Sequence, residues 1–128
     1  MSNFIAYQLA IEAAGAVGRC MGPIGKRDRD LEKQMRRATQ SIALNLAEGA
    51  RRRGQDRFHL FRIAAGSAAE VLAALDLAVA WGYLPEAEAD PARELLDRLL
   101  AICWRLTKRK SPPSRAPSRQ QSRRASSS

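Results

Sequence analysis

The side chains best placed to do chemistry fall on one line. Ser41, Asn45, Glu48 and Arg52 recur at spacings of four, three and four. On a helix such positions share one edge, because residues three and four apart stack above one another. A hydroxyl beside a carboxylate becomes a nucleophile when a base activates it. The chain has a single histidine, His59, and nothing in the sequence pairs it with Ser41. That histidine and two widely separated cysteines, Cys20 and Cys103, fall short of the four ligands of a structural zinc site. The expectation is therefore no catalytic residue, no metal and no cofactor. The line has a structural use instead. Ser41 and Asn45 can hydrogen-bond across to a neighbouring helix and fix its register, as a polar residue in a helical seam does.

The second constellation is basic. Arg51, Arg52 and Arg53 precede Gly54, and Arg57 and Arg62 follow it. Guanidinium groups present a planar fork that matches phosphate. Binding carried by such contacts is insensitive to base sequence and falls steeply with salt. The competing reading is a solvated turn with Glu48 and Asp56 as partners. Lys108, Arg109 and Lys110 begin another basic run. Formal net charge is +9, yet from Lys108 onward there are seven basic residues and no acidic ones. The first 107 residues hold 15 basic and 13 acidic side chains, a net of +2, so most of the excess lies in the tail. Trp81, Tyr83 and Trp104 are candidates for stacking on bases, although aromatics at helix ends more often pack.

These residues must be positioned by helices. No alternating strand pattern appears, and 45% of the chain is hydrophobic, dominated by Ala and Leu. Leu31, Met35, Ala38, Ile42, Leu46 and Gly49 repeat at four and three, a heptad-like seam. Phe58, Phe61, Ala65, Ala68, Leu72, Leu75 and Val79 repeat it after the turn. Two such helices joined by a short turn make an antiparallel hairpin. With the turn centred near Gly54 and Gln55, Glu70 falls level with Thr39, within reach of Arg36 or Ser41. Before the hairpin, residues 3–21 read as a helix with Ile5, Leu9, Ala13, Ala16 and Cys20 inward, Asn3 as its cap and Gly22-Pro23 as its stop. Asp28 or Asp30 caps the second helix, which is expected to run to about Arg53. Gly82 ends the third. The fourth is expected from about Pro91 to Arg109, with Leu95, Leu99, Ile102 and Leu106 inward. Cys20 and Cys103 lie on apolar faces and read as reduced, buried thiols. There is no run of about 18 apolar residues and no signal-peptide pattern, so a cytoplasmic location is expected.

The combination Gln34, Arg36, Arg37, Ala38, Ser41, Ile42, Asn45, Ala47, Glu48 and Gly49, followed by Phe58, Gly66, Ser67 and Glu70, resembles the four-helix-bundle proteins encoded in intervening sequences of bacterial 23S rRNA genes. The same superfamily includes the accessory variability proteins of diversity-generating retroelements. The resemblance covers residues 31–84 and leaves the tail without a counterpart. It marks Arg36, Ser41, Asn45, Glu48, Gly49, Gly66, Ser67 and Glu70 as a structural motif. It implies a homopentamer and a role as accessory to a reverse transcriptase or a structured RNA.

The expected fold is all-α: an antiparallel up-down-up-down four-helix bundle over residues 1–110. Residues 111–128, made of Ser, Pro, Arg, Gln and a little Ala, are expected to be disordered, because they carry no large apolar residue to offset their ordering entropy. The expected function is non-catalytic, oligomeric binding of RNA or DNA through Arg51, Arg52, Arg53, Arg57, Arg62, Lys108, Arg109 and Lys110. The rival is a structural or protein-interaction module with no nucleic-acid role.

Overall fold

A computed structural model describes residues 2–108; the expected disordered tail, with Arg109 and Lys110, lies outside them. The described residues form four helices and no strand: α1 (Ser2–Arg27), α2 (Arg29–Ala50), α3 (Gly54–Ala80) and α4 (Glu86–Leu106). Packing joins α1 to α2, α2 to α3, α3 to α4 and α4 back to α1. Short connections make each neighbour antiparallel, as expected of an up-down-up-down bundle. The second helix shows the sequence logic most directly. Its buried residues are Leu31, Met35, Ala38, Ile42, Leu46 and Gly49, the whole of the heptad-like seam. Asp28 caps it, its carboxylate accepting from the Leu31 N–H at 3.0 Å. The helix ends at Ala50, three residues before the expected end.

The other helices depart from expectation where burial outweighs local signals. Residues Gly22 and Pro23 do not stop α1, which begins at Ser2 with Asn3 already inside and runs on to Arg27. Pro23 removes one ladder hydrogen bond, a cost of about 3 kcal/mol in a helix interior. Gly22 has no Cβ to meet the proline ring, and Pro23 itself is exposed. The extra turn delivers Ile24 to the core with no exposed surface. Full burial of such a side chain is worth about 1.5–3 kcal/mol, comparable to the proline cost. At the other end of α1, Ile5 is 53% exposed and Ala6 takes the inward position.

Likewise, α4 starts at Glu86, not Pro91, and carries Pro91 exposed within it. The earlier start buries Leu84 and Ala89 and places Glu86 and Glu88 at the positive end of the helix. Its inward face is Ala89, Ala92, Leu96, Leu99 and Cys103, while Leu95, Ile102 and Leu106 pack at its flanks. In α3 the inward face is broader than the predicted seam. Ala64, Val71, Ala74 and Ala78 join Phe61, Ala65, Ala68 and Leu75, and Phe58, Leu72 and Val79 are half-buried. The helix closes as predicted at Gly82, whose φ of +76° suits glycine. The Tyr83 N–H reaches back to the Ala78 carbonyl at 2.8 Å and Gly82 to Val79 at 3.0 Å, a Schellman closure.

Candidate nucleic-acid interface

The turn between α2 and α3 is shaped by the conformations of three residues. Arg51 stays near the helical region, Arg53 is extended, and Gly54 enters α3 with φ of +64°. A left-handed φ favours glycine, so this residue sets where the chain reverses. The backbone N–H groups of Arg51 and Arg52 close onto the carbonyls of Glu48 and Gly49 at 3.0 and 3.1 Å.

Charge on the turn is partly spent internally. Glu48 accepts from Arg51, and from Arg52 Nε at 2.8 Å; Arg52 also reaches Asp56 at 3.5 Å. The hydrogen bond from Arg51, then that from Arg52, holds the Glu48 carboxyl below its ordinary range. Arg57 Nε donates to the Gly49 carbonyl at 3.3 Å. Arg53 and Arg62 are exposed and make no ion pair among the described residues. Bundle topology brings the C-terminus of α4 to this same end, with Arg105 in its last turn and Lys108 the last described residue. Sequence reasoning missed Arg105, since its place beside the turn follows from chain direction and not from any motif. Of the aromatic candidates, Trp104 is at this end and 47% exposed. Trp81 and Tyr83 are at the other end. There Trp81 meets Tyr83 edge-on at 5.9 Å, Arg27 sits 5.5 Å over the Tyr83 ring, and the Tyr83 hydroxyl donates to Asp28 at 3.2 Å.

The motif residues divide into inner and outer sets. Ser67 Oγ donates to Ser41 Oγ at 2.8 Å, joining α3 to α2. Asn45 does not cross: its Nδ2 donates to the Ser41 carbonyl at 2.8 Å and to Ser41 Oγ at 3.1 Å within its own helix. Ser41 is thus the acceptor at which two helices meet. A Cβ on Gly49 would lie 2.6 Å from Cε1 of Phe61, so the glycine is the floor on which that ring rests. Gly66, by contrast, is exposed and a Cβ there would meet nothing within 4 Å. The expected contact of Glu70 with Arg36 or Ser41 is not made. Arg36 pairs with Glu32 one turn back, and Ser67 holds Ser41 instead. The Ser41–Ser67 and Gly49–Phe61 contacts bracket the register expected of a turn centred at Gly54 and Gln55. Glu70 is left with Arg37, Ala38, Ser41 and Ser67 around a shallow groove.

Charge on α4 has another character. Arg93 pairs with Asp76 at 2.9 Å, Asp90 at 3.2 Å and Glu86 at 3.3 Å, one cation among three carboxylates. Burial works against its charge, and the hydrogen bonds to Asp76 and Asp90 outweigh that and hold it protonated. The cysteines are free and buried. Desolvation pushes the Cys103 thiol up to about 11 and raises that of Cys20 as well.

Residues 2–105 match the model of the 23S rRNA-intervening sequence protein family. The chain belongs to that family. A crystal structure of a protein of unknown function from the S23 ribosomal protein family, from Bacteroides thetaiotaomicron VPI-5482, superposes with a TM-score of 0.72 at 18% identity. The match covers 81% of this chain and 99% of that one, and at this identity it speaks to the shared fold. No curated protein matches. The family match reaches across all four helices, beyond the hairpin that carries the motif.

Proposed function

We propose that this family member binds RNA or DNA non-catalytically through the phosphate backbone, using the basic end of the bundle. The observation that carries the reading is the gathering of Arg51, Arg52 and Arg53 on the turn, Arg57 in the first turn of α3, and Arg105 and Lys108 at the same end of the bundle, with exposed Arg62 about two turns into α3. Arg109 and Lys110 continue that run in sequence. Glu48 pairs with Arg51 and Arg52 on the exposed turn, and a phosphate would compete with it for their guanidinium groups, while Arg53 carries no ion pair among the described residues.

Binding of this kind releases counterions, so affinity falls with salt and depends little on base sequence. The test is binding of the full chain to a short single-stranded RNA, and to a duplex DNA of equal length, across a salt series. Replacing Arg53 and Arg62 with Ala is expected to flatten the slope of log affinity against log salt by about two contacts' worth. Deleting residues 111–128 removes four basic side chains and is expected to flatten it further. Unchanged slopes in both variants, or no binding at low salt, would favour the reading as an interaction module for proteins.

A further inference from the structure

We propose that the groove between α2 and α3 reads one unpaired guanine, on a strand whose phosphates the basic turn holds; the inference rests on the nucleic-acid reading above. The groove, about 170 Å³, is lined by Arg37, Ala38, Ser41, Ser67 and Glu70. All five stand in the combination read in the sequence. The Ser41–Ser67 contact sets Glu70 about level with Ala38, so Arg37 and Glu70 line the groove from opposite helices at nearly one height. Both are exposed, and neither has an ion pair or hydrogen bond among the described residues. Opposite charges thus share one groove without meeting each other. A hydroxyl proton is also spare there. Ser41 and Ser67 are joined by one hydrogen bond, and the Asn45 amide donates to Ser41 Oγ as well. Two hydroxyls carry two protons, so one O–H has no acceptor among the described residues.

This set of donors and acceptors selects its ligand. A carboxylate only accepts and a guanidinium only donates. The ligand must offer paired donors to Glu70 and paired acceptors to Arg37, on adjoining edges. Among the bases guanine alone does so. Its N1–H and N2–H lie side by side on the pairing edge, and O6 and N7 lie on the next, where a guanidinium fork reads them. The amino group of adenine or cytosine lies beside a ring nitrogen that accepts, and the single N–H of uracil lies between two carbonyls. Each of these sets an acceptor against the carboxylate. Because the pairing edge is engaged, the base must be unpaired, as bases read in RNA loops and single strands are. So small a groove suits a base carried on a strand better than a free molecule, whose pockets run to about 300–1,000 Å³. The strand comes from the turn: Ser41 stands ten residues before Arg51, about 15 Å along the helix and a few nucleotides away. The serines lie at the turn-ward end of the groove, where the spare O–H would meet the sugar or phosphate behind the base. Phosphate contacts position the strand, and the base contact adds the choice.

The test compares a uridine RNA octamer with the same octamer carrying one central guanosine, by fluorescence anisotropy with the full chain across a salt series. The guanosine is expected to tighten binding about fivefold, the lower end of what one bidentate contact discriminates. Inosine, which lacks the N2 amino group, and 7-deazaguanosine, which lacks the N7 acceptor, are each expected to lose most of that gain. Glu70→Gln replaces one acceptor with a donor. It is expected to abolish the preference and leave uridine binding no weaker. Arg37→Lys keeps the charge and loses the fork. It is expected to bring the preference below about twofold at an unchanged salt slope. Both positions are exposed, and circular dichroism is expected to show unchanged helicity in both variants, so a merely structural role would move neither readout. Equal affinity for the two octamers overturns the guanine site and leaves the phosphate reading standing. A preference untouched by both substitutions, or by both base analogues, overturns it as well. No binding of either octamer at low salt overturns both readings together.

Discussion

Two glycine-bearing surfaces of this protein differ in what their glycines meet. In the α2–α3 seam, Gly49 lies under the ring of Phe61, and a methyl group there would come within 2.6 Å of it. On the outer faces, Gly18, Gly22 and Gly66 face open space. The first kind is explained by packing inside the chain. The second kind costs helix stability without any return inside the chain. Size along the inner seam is therefore dictated by the fold, whereas the fold leaves size along the outer face open. Family membership alone cannot separate the two, because both Gly49 and Gly66 belong to the same motif.

The comparison is most easily broken from the inside. Phe61 is the largest fully buried side chain, and Phe61→Ala is expected to cost about 3–5 kcal/mol, read as a drop in the denaturant midpoint. A loss below about 1 kcal/mol would mean that the seam is not the core. Gly49→Ala follows, expected to destabilise by about 1–3 kcal/mol, since the ring must move off its rotamer or the helices must part. Gly66→Ala is the mirror test. With open space at its Cβ it is expected to stabilise, by about 0.5–1 kcal/mol. Equal signs for the two glycine substitutions would erase the distinction between inner and outer surfaces.

The polar link across the seam comes next in size. Ser41 and Ser67 are half-buried and joined at 2.8 Å. A double-mutant cycle with Ala at each is expected to give a coupling of about 0.5–1.5 kcal/mol, the net worth of one hydrogen bond. Asn45→Ala is expected to leave that coupling in place, because its amide bonds within α2.

How much of this was legible follows from the kind of signal each element carries. The α2 seam was read residue for residue, because its hydrophobic period is strict and its polar face is charged. Gly82 was legible, and the cap of α2 was narrowed to Asp28 or Asp30, because each is a local device with its own geometry. The courses of α1 and α4 were not, since Pro23 and Pro91 are strong local stops that tertiary burial overrides. The face of α4 was misplaced by one residue at Leu95 because Leu95 and Leu96 are equally apolar, and only Cys103 and Ala92 on the same side decide between them. At the candidate interface the basic turn itself was readable. The internal pairing of Arg51 and Arg52 with Glu48, and the arrival of Arg105, required the assembled bundle.

The smallest expected effect concerns Glu70, a motif residue on the outer side of the comparison. It is exposed, and no ion pair holds it among the described residues. Arg36, its expected partner, is held by Glu32. Surface substitutions away from caps, cores and networks usually change stability by no more than about 0.5 kcal/mol. Glu70→Gln is therefore expected to fall within that range, and Arg36→Ala combined with it is expected to be additive. A Glu70→Gln loss above about 1 kcal/mol, or clear coupling to Arg36, would return this carboxylate to the inner set. The outer face of the hairpin would then be as structural as the seam beneath it.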